Sequence, residues 1–216
     1  MLPFSAEQFH AVFAAYNLAV WPAQVVAYAL GIVAVAALFL PGRESGRAIT
    51  LVLSLMWLWT GIAYHGLFFS SVNPAAYGFA ALFVAEGLGL LHAGVVRRRL
   101  AFAVRKDLAS VVGLAFVGYA LVLYPLIGLA TGSDWPAMPV FGITPCPVTI
   151  FTFGLFLLAT TPVSWWLLVI PVLWSLVGGS AAVLLGVAQD WLLLVSGLVA
   201  VPLILFRNRA LRLQPS

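Results

Sequence analysis

Runs of about twenty apolar residues, separated by short polar or basic connections, constrain this chain more than any motif it carries. They fall at about 18–40, 49–69, 75–96, 108–130, 165–185 and 191–206, with a shorter run at 148–161. A helix rises about 1.5 Å per residue, so some twenty residues cross a hydrocarbon layer of about 30 Å. Inside lipid the backbone must satisfy its own polar groups, which leaves helices and closed barrels. The runs are too long for barrel strands and do not alternate. With 64% hydrophobic and 7% charged residues, the chain is outside the range of soluble domains. The predicted fold is all-α: one polytopic membrane helix bundle over residues 1–216, with seven transmembrane helices.

Charge placement predicts the topology. The net charge of +4 does not point to nucleic acid, because the basic residues sit between or beyond the apolar runs. They are Arg43 and Arg47; Arg97, Arg98, Arg99, Arg105 and Lys106; and Arg207, Arg209 and Arg212. As a helix the 148–161 run reaches only about 21 Å. Counting it as a crossing puts every basic loop on one side. Omitting it sets the C-terminal arginines opposite Arg97–Arg99, against the positive-inside rule. The N-terminus is then outside and the C-terminus inside, with Glu7, Asp134 and Asp190 on the outer face. The arginines read as orientation signals, with anionic head groups as the weaker reading.

Residues 5–16 predict a short amphipathic surface helix, lying flat on the membrane or packed on the bundle's outer end. Ser5 and Gln8 have capping-box spacing, and Phe9, Val12, Phe13 and Tyr16 form its apolar stripe. No positive n-region precedes it, so the first span is expected to stay in place. That span opens with Asn17, Trp21, Pro22 and Gln24, whose amides need partners near hydrocarbon. It stops at Pro41-Gly42. The proline-rich loop from Thr131 to Pro147 predicts an ordered cap on the bundle. Pro171 predicts a kink.

The hairpin from Ile49 to Val96 organises the rest. At 100° per residue, Ser54, Gly61, His65 and Phe68 share one face, with Trp57 and Tyr64 beside them. Val52, Leu55, Met56, Trp59 and Ala63 share the other, assigned to lipid. In the next span Ala81, Ala85, Gly89 and Ala93 form a small-residue seam for close helix approach. His92 lies on that seam and Glu86 flanks it.

Glu86 is the sharpest chemical signal, an acid about 17 Å from the outer end of its helix with no Lys or Arg at its depth. Intramembrane acids mark proton or cation pathways; the plain alternative is a neutral carboxylic acid bonded to a neighbour. His65, nearer the outer face, is a relay or metal-ligand candidate against a simple packed imidazole. His92 reads as a packing residue. Cys146, in Thr-Pro-Cys-Pro-Val-Thr at the start of the short run, is a reactive thiol or soft-metal ligand candidate, against a small residue in a rigid turn. His65 and Met138 share its expected depth. A single cysteine excludes an internal disulfide and CxxC chemistry. No phosphate loop, HExxH or GxSxG motif is present, no catalytic residue is assigned, and the sequence requires no cofactor.

Over Tyr16–Gln24 (YNLAVWPAQ), Trp59–Phe79 (WTGIAYHGLFFSSVNPAAYGF) and Pro145–Gly154 (PCPVTIFTFG), the chain resembles a bacterial multi-pass membrane protein family of unknown function. The resemblance runs along nearly the whole chain. It implies a bacterial cytoplasmic membrane and transfers no activity. The Pro-Cys-Pro element is also similar to short motifs of soft-metal exporters and thiol-redox membrane proteins, without their second cysteine or His-rich loops.

Three functions follow as expectations. The first is a small transporter or channel for a solute or cation. Asn17, Gln24, Tyr64, His65, Tyr124, Cys146 and Thr149 would form its outward vestibule, and Glu86 its deeper proton-sensitive point. The second is a membrane-embedded metal-binding or thiol-redox protein using Cys146 and His65. The third is a structural subunit that packs on a second copy or another membrane protein. The lipid bilayer is the partner common to all three.

Overall fold

The computed structural model describes residues 3–40 and 43–213. The side chains of Arg43, Arg212 and Leu213 lie outside the described residues, as does the Pro41-Gly42 stop. Every regular element is helical: α1 (Ala6–Ala19), α2 (Ala23–Ala37), α3 (Arg43–Trp59), α4 (Ala76–Leu90), α5 (Leu108–Gly118), α6 (Tyr124–Ala130), α7 (Pro145–Leu157), α8 (Trp166–Leu185) and α9 (Trp191–Leu213). π turns prolong α3 over Thr60–Phe68 and α4 over Leu91–Val96, and another joins α5 to α6 over Tyr119–Leu123. The one extended contact among the described residues is a single bridge, Phe102 to Ala159.

Five continuous helical segments are long and apolar enough to cross a membrane: Glu44–Ser71, Ala76–Val96, Leu108–Ala130, Trp166–Leu185 and Ala188–Leu211. A sixth is reached if α1 and α2, bent by 85° at their junction, count as one span. Seven is not reached by length, because α7 has 13 residues. The expected first span also starts later. Leu18 and Ala19 finish α1, and the chain turns before Pro22, which has no N–H to continue a helix. The amphipathic N-terminal helix does form, three residues longer at its C-terminal end than read. Its capping box closes as the spacing predicts: Gln8 N–H donates to Ser5 Oγ (3.1 Å) and Ser5 N–H to Gln8 Oε1 (2.9 Å).

The loop after α6 folds back over the α1–α2 elbow as a cap. The Asn17 amide donates to Pro136 O and Met138 O, both at 2.7 Å, and the Gln24 amide donates to Asn17 O at 2.9 Å. The Tyr16 hydroxyl donates to Ile143 O (2.8 Å) and accepts from Trp59 Nε1 (2.7 Å). The Asn17 amide therefore holds loop carbonyls that have no helical partner, and Gln24 holds the carbonyl of Asn17 near the end of α1. Asn17→Leu is expected to cost about 2 kcal/mol, since a buried carbonyl and a half-buried one lose their donor. The readout is a lower thermal midpoint in detergent together with new protease cleavage in the cap.

α7 is the axis of the bundle, and every one of its residues is buried. It meets α5 backbone to backbone at Gly113 and Gly154. A Cβ on Gly113 would lie 2.8 Å from Gly154 O, and one on Gly154 would lie 2.9 Å from Gly113 O. Trp57 Nε1 donates to Thr152 Oγ1 (2.9 Å), fixing α3 on the opposite side. The small-residue seam expected on α4 is displaced: Ala81 and Ala85 are exposed, and the buried face runs through Phe83, Glu86, Gly87 and Leu90. On α3, Val52 and Met56, read as lipid-facing, are buried, because this helix packs against α2, α4 and α7 at once. Leu55 and Trp59 do face outward. His92, read as a packing residue, is exposed.

The basic segments gather at one end. Glu44 pairs with Arg47 (3.5 Å) and Arg98 (3.4 Å). Asp107 caps α5 by accepting from Ser110 N–H (2.7 Å), and the Arg105 hydrogen bond holds its carboxyl below the usual carboxylate range. Arg207 departs from the reading of a head-group-facing arginine. It is buried, and its guanidinium donates to Leu157 O (2.6 Å) and Phe156 O (2.8 Å), while Arg105 donates to Ala159 O (3.1 Å). A helix leaves its last carbonyls unpaired, and α7 ends inside protein, so a cation must come to it. Asn208 pairs both ways with the Val163 backbone, at 2.7 and 3.1 Å.

Candidate functional site

At the cap end, opposite the basic loops, the bundle encloses a cavity of about 210 Å³. Phe9 and Phe13 of α1 roof it. Tyr64, Phe69, Phe79 and Trp174 form its aromatic walls, and Cys146 and Asp190 join Tyr64 as the ionisable groups among its lining residues. Val177 and Leu184 of α8, both exposed, line its flank, so the cavity opens between α1 and α8.

Local sequence explains how these groups converge. Pro125 cannot donate to Leu121 O, and the helix opens into a π turn just before it, which sets Tyr124 at the cavity end. A second π turn carries Tyr64 and His65. In Pro145-Cys146-Pro147 two of the first three residues of α7 have no N–H. That reduces the orphan donors at an N-terminus buried in the bundle and lets Cys146 line the cavity. Gly186, in the left-handed region (φ 71°), ends α8; a short 3-10 turn then delivers Asp190 at the start of α9. A carboxyl directly before a helix interacts favourably with the helix dipole.

Asp190, read as an outer-surface acid, is buried. The Tyr124 hydroxyl donates to its Oδ1, and the Cys146 thiol lies between its carboxyl and the Trp174 indole. Tyr119, whose hydroxyl donates to Gln189 O (2.7 Å), packs against Tyr124. The three groups form one contiguous acid, phenol and thiol cluster.

His65 lies just behind the cavity wall. Its ring packs on Trp174 (5.0 Å between centroids), Phe79 (5.7 Å) and Phe83 (4.7 Å), and neither nitrogen has a hydrogen-bond partner. Glu86 follows Phe83 by one turn of α4, about 4.5 Å of rise. It is 1% exposed, and its Oε1 has no partner. Trp174 Nε1 also makes no hydrogen bond of good geometry. Buried polar atoms are paired in the great majority of cases, so orphans grouped from the cavity inward need a physical account.

Of the expected vestibule, Tyr64 and Cys146 line the cavity, Tyr124 bonds the Asp190 on its wall, and His65 backs it. Asn17 and Gln24 do not line it; they brace the cap. Thr149 donates to Pro145 O within α7 (2.9 Å). Glu86 is not among the lining residues. Asp190, Trp174 and the roof of α1 were not found by sequence reasoning. Tyr124 and Asp190 are 66 positions apart, and an acid before an apolar run reads equally as a solvent-facing cap. Cys146 and His65 flank the same indole, but among the described residues no three His, Cys, Asp or Glu side chains are grouped to hold a metal ion.

A family model described as a family of unknown function covers residues 6–215. No curated protein and no solved structure matches the chain.

Proposed function

The chain belongs to the DUF6064 family, and from that footing we propose that it is a small membrane transporter or channel that takes up a solute or cation through the cap-end cavity. The supporting observation is the set of unpartnered buried polar atoms behind that cavity, at both His65 nitrogens and Glu86 Oε1. Water, a proton or a cation passing inward satisfies such atoms, and a dry core does not. The cavity is the outer binding site, and Glu86 is the deeper proton-sensitive point. In the membrane of a bacterial cell the basic end faces the cytoplasm, α2 makes the first crossing with α1 lying across the cap end, and α7 is the short fifth of seven.

Glu86→Gln tests this directly. In proteoliposomes carrying an internal pH dye and a potassium-diffusion potential, the wild type is expected to move protons or cations at least about tenfold faster than the variant, in line with the usual contribution of a positioned acid. A variant that behaves like the wild type for protons, sodium and potassium at every pH removes the relay.

The thiol reading has one observation in its favour, the placement of Cys146 in the cavity beside Asp190. Elemental analysis of the purified protein, with Cys146→Ser as control, decides it. Stoichiometric metal lost in the variant supports the reading, and its absence together with an unreactive thiol ends it.

A further inference from the structure

We infer that the cap-end cavity is a recognition site for a small organic cation, an amine or quaternary ammonium with a short apolar body. This rests on the same cavity as the transport proposal and names its ligand class.

The walls set the chemistry. Aromatic side chains surround the space on several sides: Phe9, Phe13, Tyr64, Phe69, Phe79 and Trp174. Several are locked by one another. Phe13 stacks on Tyr64 at 5.4 Å, Tyr64 on Phe69 at 5.7 Å, and Phe79 meets Trp174 edge-on at 5.3 Å. Ring faces carry negative potential and attract a cation that has left water. Asp190 is the one acid among the lining residues, and no Lys, Arg or His is among them. The Asp190 carboxyl accepts from Tyr124 and lies against the Cys146 thiol, and no basic side chain among the lining residues offsets its charge, so a ligand cation is the complementary partner. An anion meets that carboxylate and the aromatic faces with no compensating charge. A neutral apolar solute leaves the carboxylate unanswered.

Size and access narrow the class. At about 210 Å³, the space is smaller than the cavities of about 300 Å³ and upward that hold drug-sized ligands. The mouth lies beside the exposed apolar side chains of α8, Val177 and Leu184, which suits a cation with methyl or methylene groups. A bare metal cation finds a single carboxylate there, too few hard oxygen ligands to replace its water.

The probes are choline chloride and its neutral isostere 3,3-dimethylbutan-1-ol, titrated into the purified full-length protein in detergent. Binding is followed by calorimetry and by the thermal midpoint. Choline is expected to bind at least about tenfold more tightly than the alcohol. Asp190→Asn is expected to abolish that difference, and Phe9→Leu, which keeps the roof apolar, to narrow it. Equal affinity for the two probes overturns the inference, as does binding of neither. Discrimination that persists in a folded Asp190→Asn protein overturns it too. Should that variant not fold, Phe9→Leu decides alone, and unchanged discrimination there is a failure. Choline binding without Glu86-dependent flux leaves the ligand class standing and removes the transport reading. Glu86-dependent flux without choline discrimination does the reverse.

Discussion

Replacing Arg207 with methionine is expected to destabilise the protein by about 3 kcal/mol, the largest loss from any one side chain at the basic end. The two carbonyls it serves, Leu157 O and Phe156 O, end a helix whose residues are all buried. Water does not reach them, and neighbouring side chains are already committed. Asn208 is paired with Val163, and Arg105 serves Ala159 O and Asp107. Arg207→Lys is expected to recover part of the loss, because one ammonium cannot fork to two carbonyls as a planar guanidinium does. Arg209→Met is the control. Arg209 is exposed, and its change is expected to stay within about 0.5 kcal/mol. The measurement is the thermal midpoint of the purified protein in one detergent. An Arg207→Met midpoint equal to that of Arg209→Met would show that α7 does not depend on this cap.

Gly154→Ala is expected to be nearly as costly, about 2–3 kcal/mol, and Gly154→Val to yield no folded monomer. The obstruction is backbone, so no rotamer change relieves it. The new Cβ would sit 2.9 Å from Gly113 O and 3.0 Å from Val117 N, and α5 must move away from α7 as a body. Gly113→Ala meets the same wall from the other helix. The double alanine variant is therefore expected to lose less than the sum of the singles, since the first substitution already parts the helices. Gly78 and Gly118, with nothing near an added Cβ, are the comparison sites, where alanine is expected to be neutral or to stabilise. Size-exclusion yield and thermal midpoint together separate misfolding from mild loosening.

The contrast between what the sequence disclosed and what it hid has a physical pattern. Local signals were readable: the Ser5–Gln8 box, the 49–96 hairpin, the burial of Glu86 and His65, and the cap between α6 and α7. Each rests on spacing within a few residues. The lipid-facing assignments of Val52 and Met56 failed because α3 packs against α2, α4 and α7 at once and keeps only a narrow outward strip, at Leu51, Leu55 and Trp59, which periodicity reads too wide. The α4 seam held only in part: Gly89 meets Trp166 and Ala93 is buried, but Ala81 and Ala85 are exposed because the face with Phe83, Glu86 and Leu90 turns inward. The cavity was illegible for a different reason. Its parts come from α1, the first π turn, α4, α7, α8 and the start of α9, and nothing within any one of those segments announces the others. Arg207 misled in the same way. An arginine after an apolar run reads as a topological marker, and its use as a cap is visible only once α7 is known to end beside it.

The clamp between Asn17 and the loop at Pro136 and Met138 joins positions 119 and 121 residues apart. A ribosome extending at about 5–20 residues per second needs on the order of ten seconds to travel that far. During that interval the Asn17 amide still lacks its loop carbonyls, whereas Gln24 already has its acceptor, Asn17 O, seven residues earlier in the chain. The elbow between α1 and α2 thus acquires its brace only after α6 has been synthesised. A nascent chain whose released part ends before Pro136 should leave the Tyr16 hydroxyl without its Ile143 acceptor, whereas one released past Ile143 can make that bond.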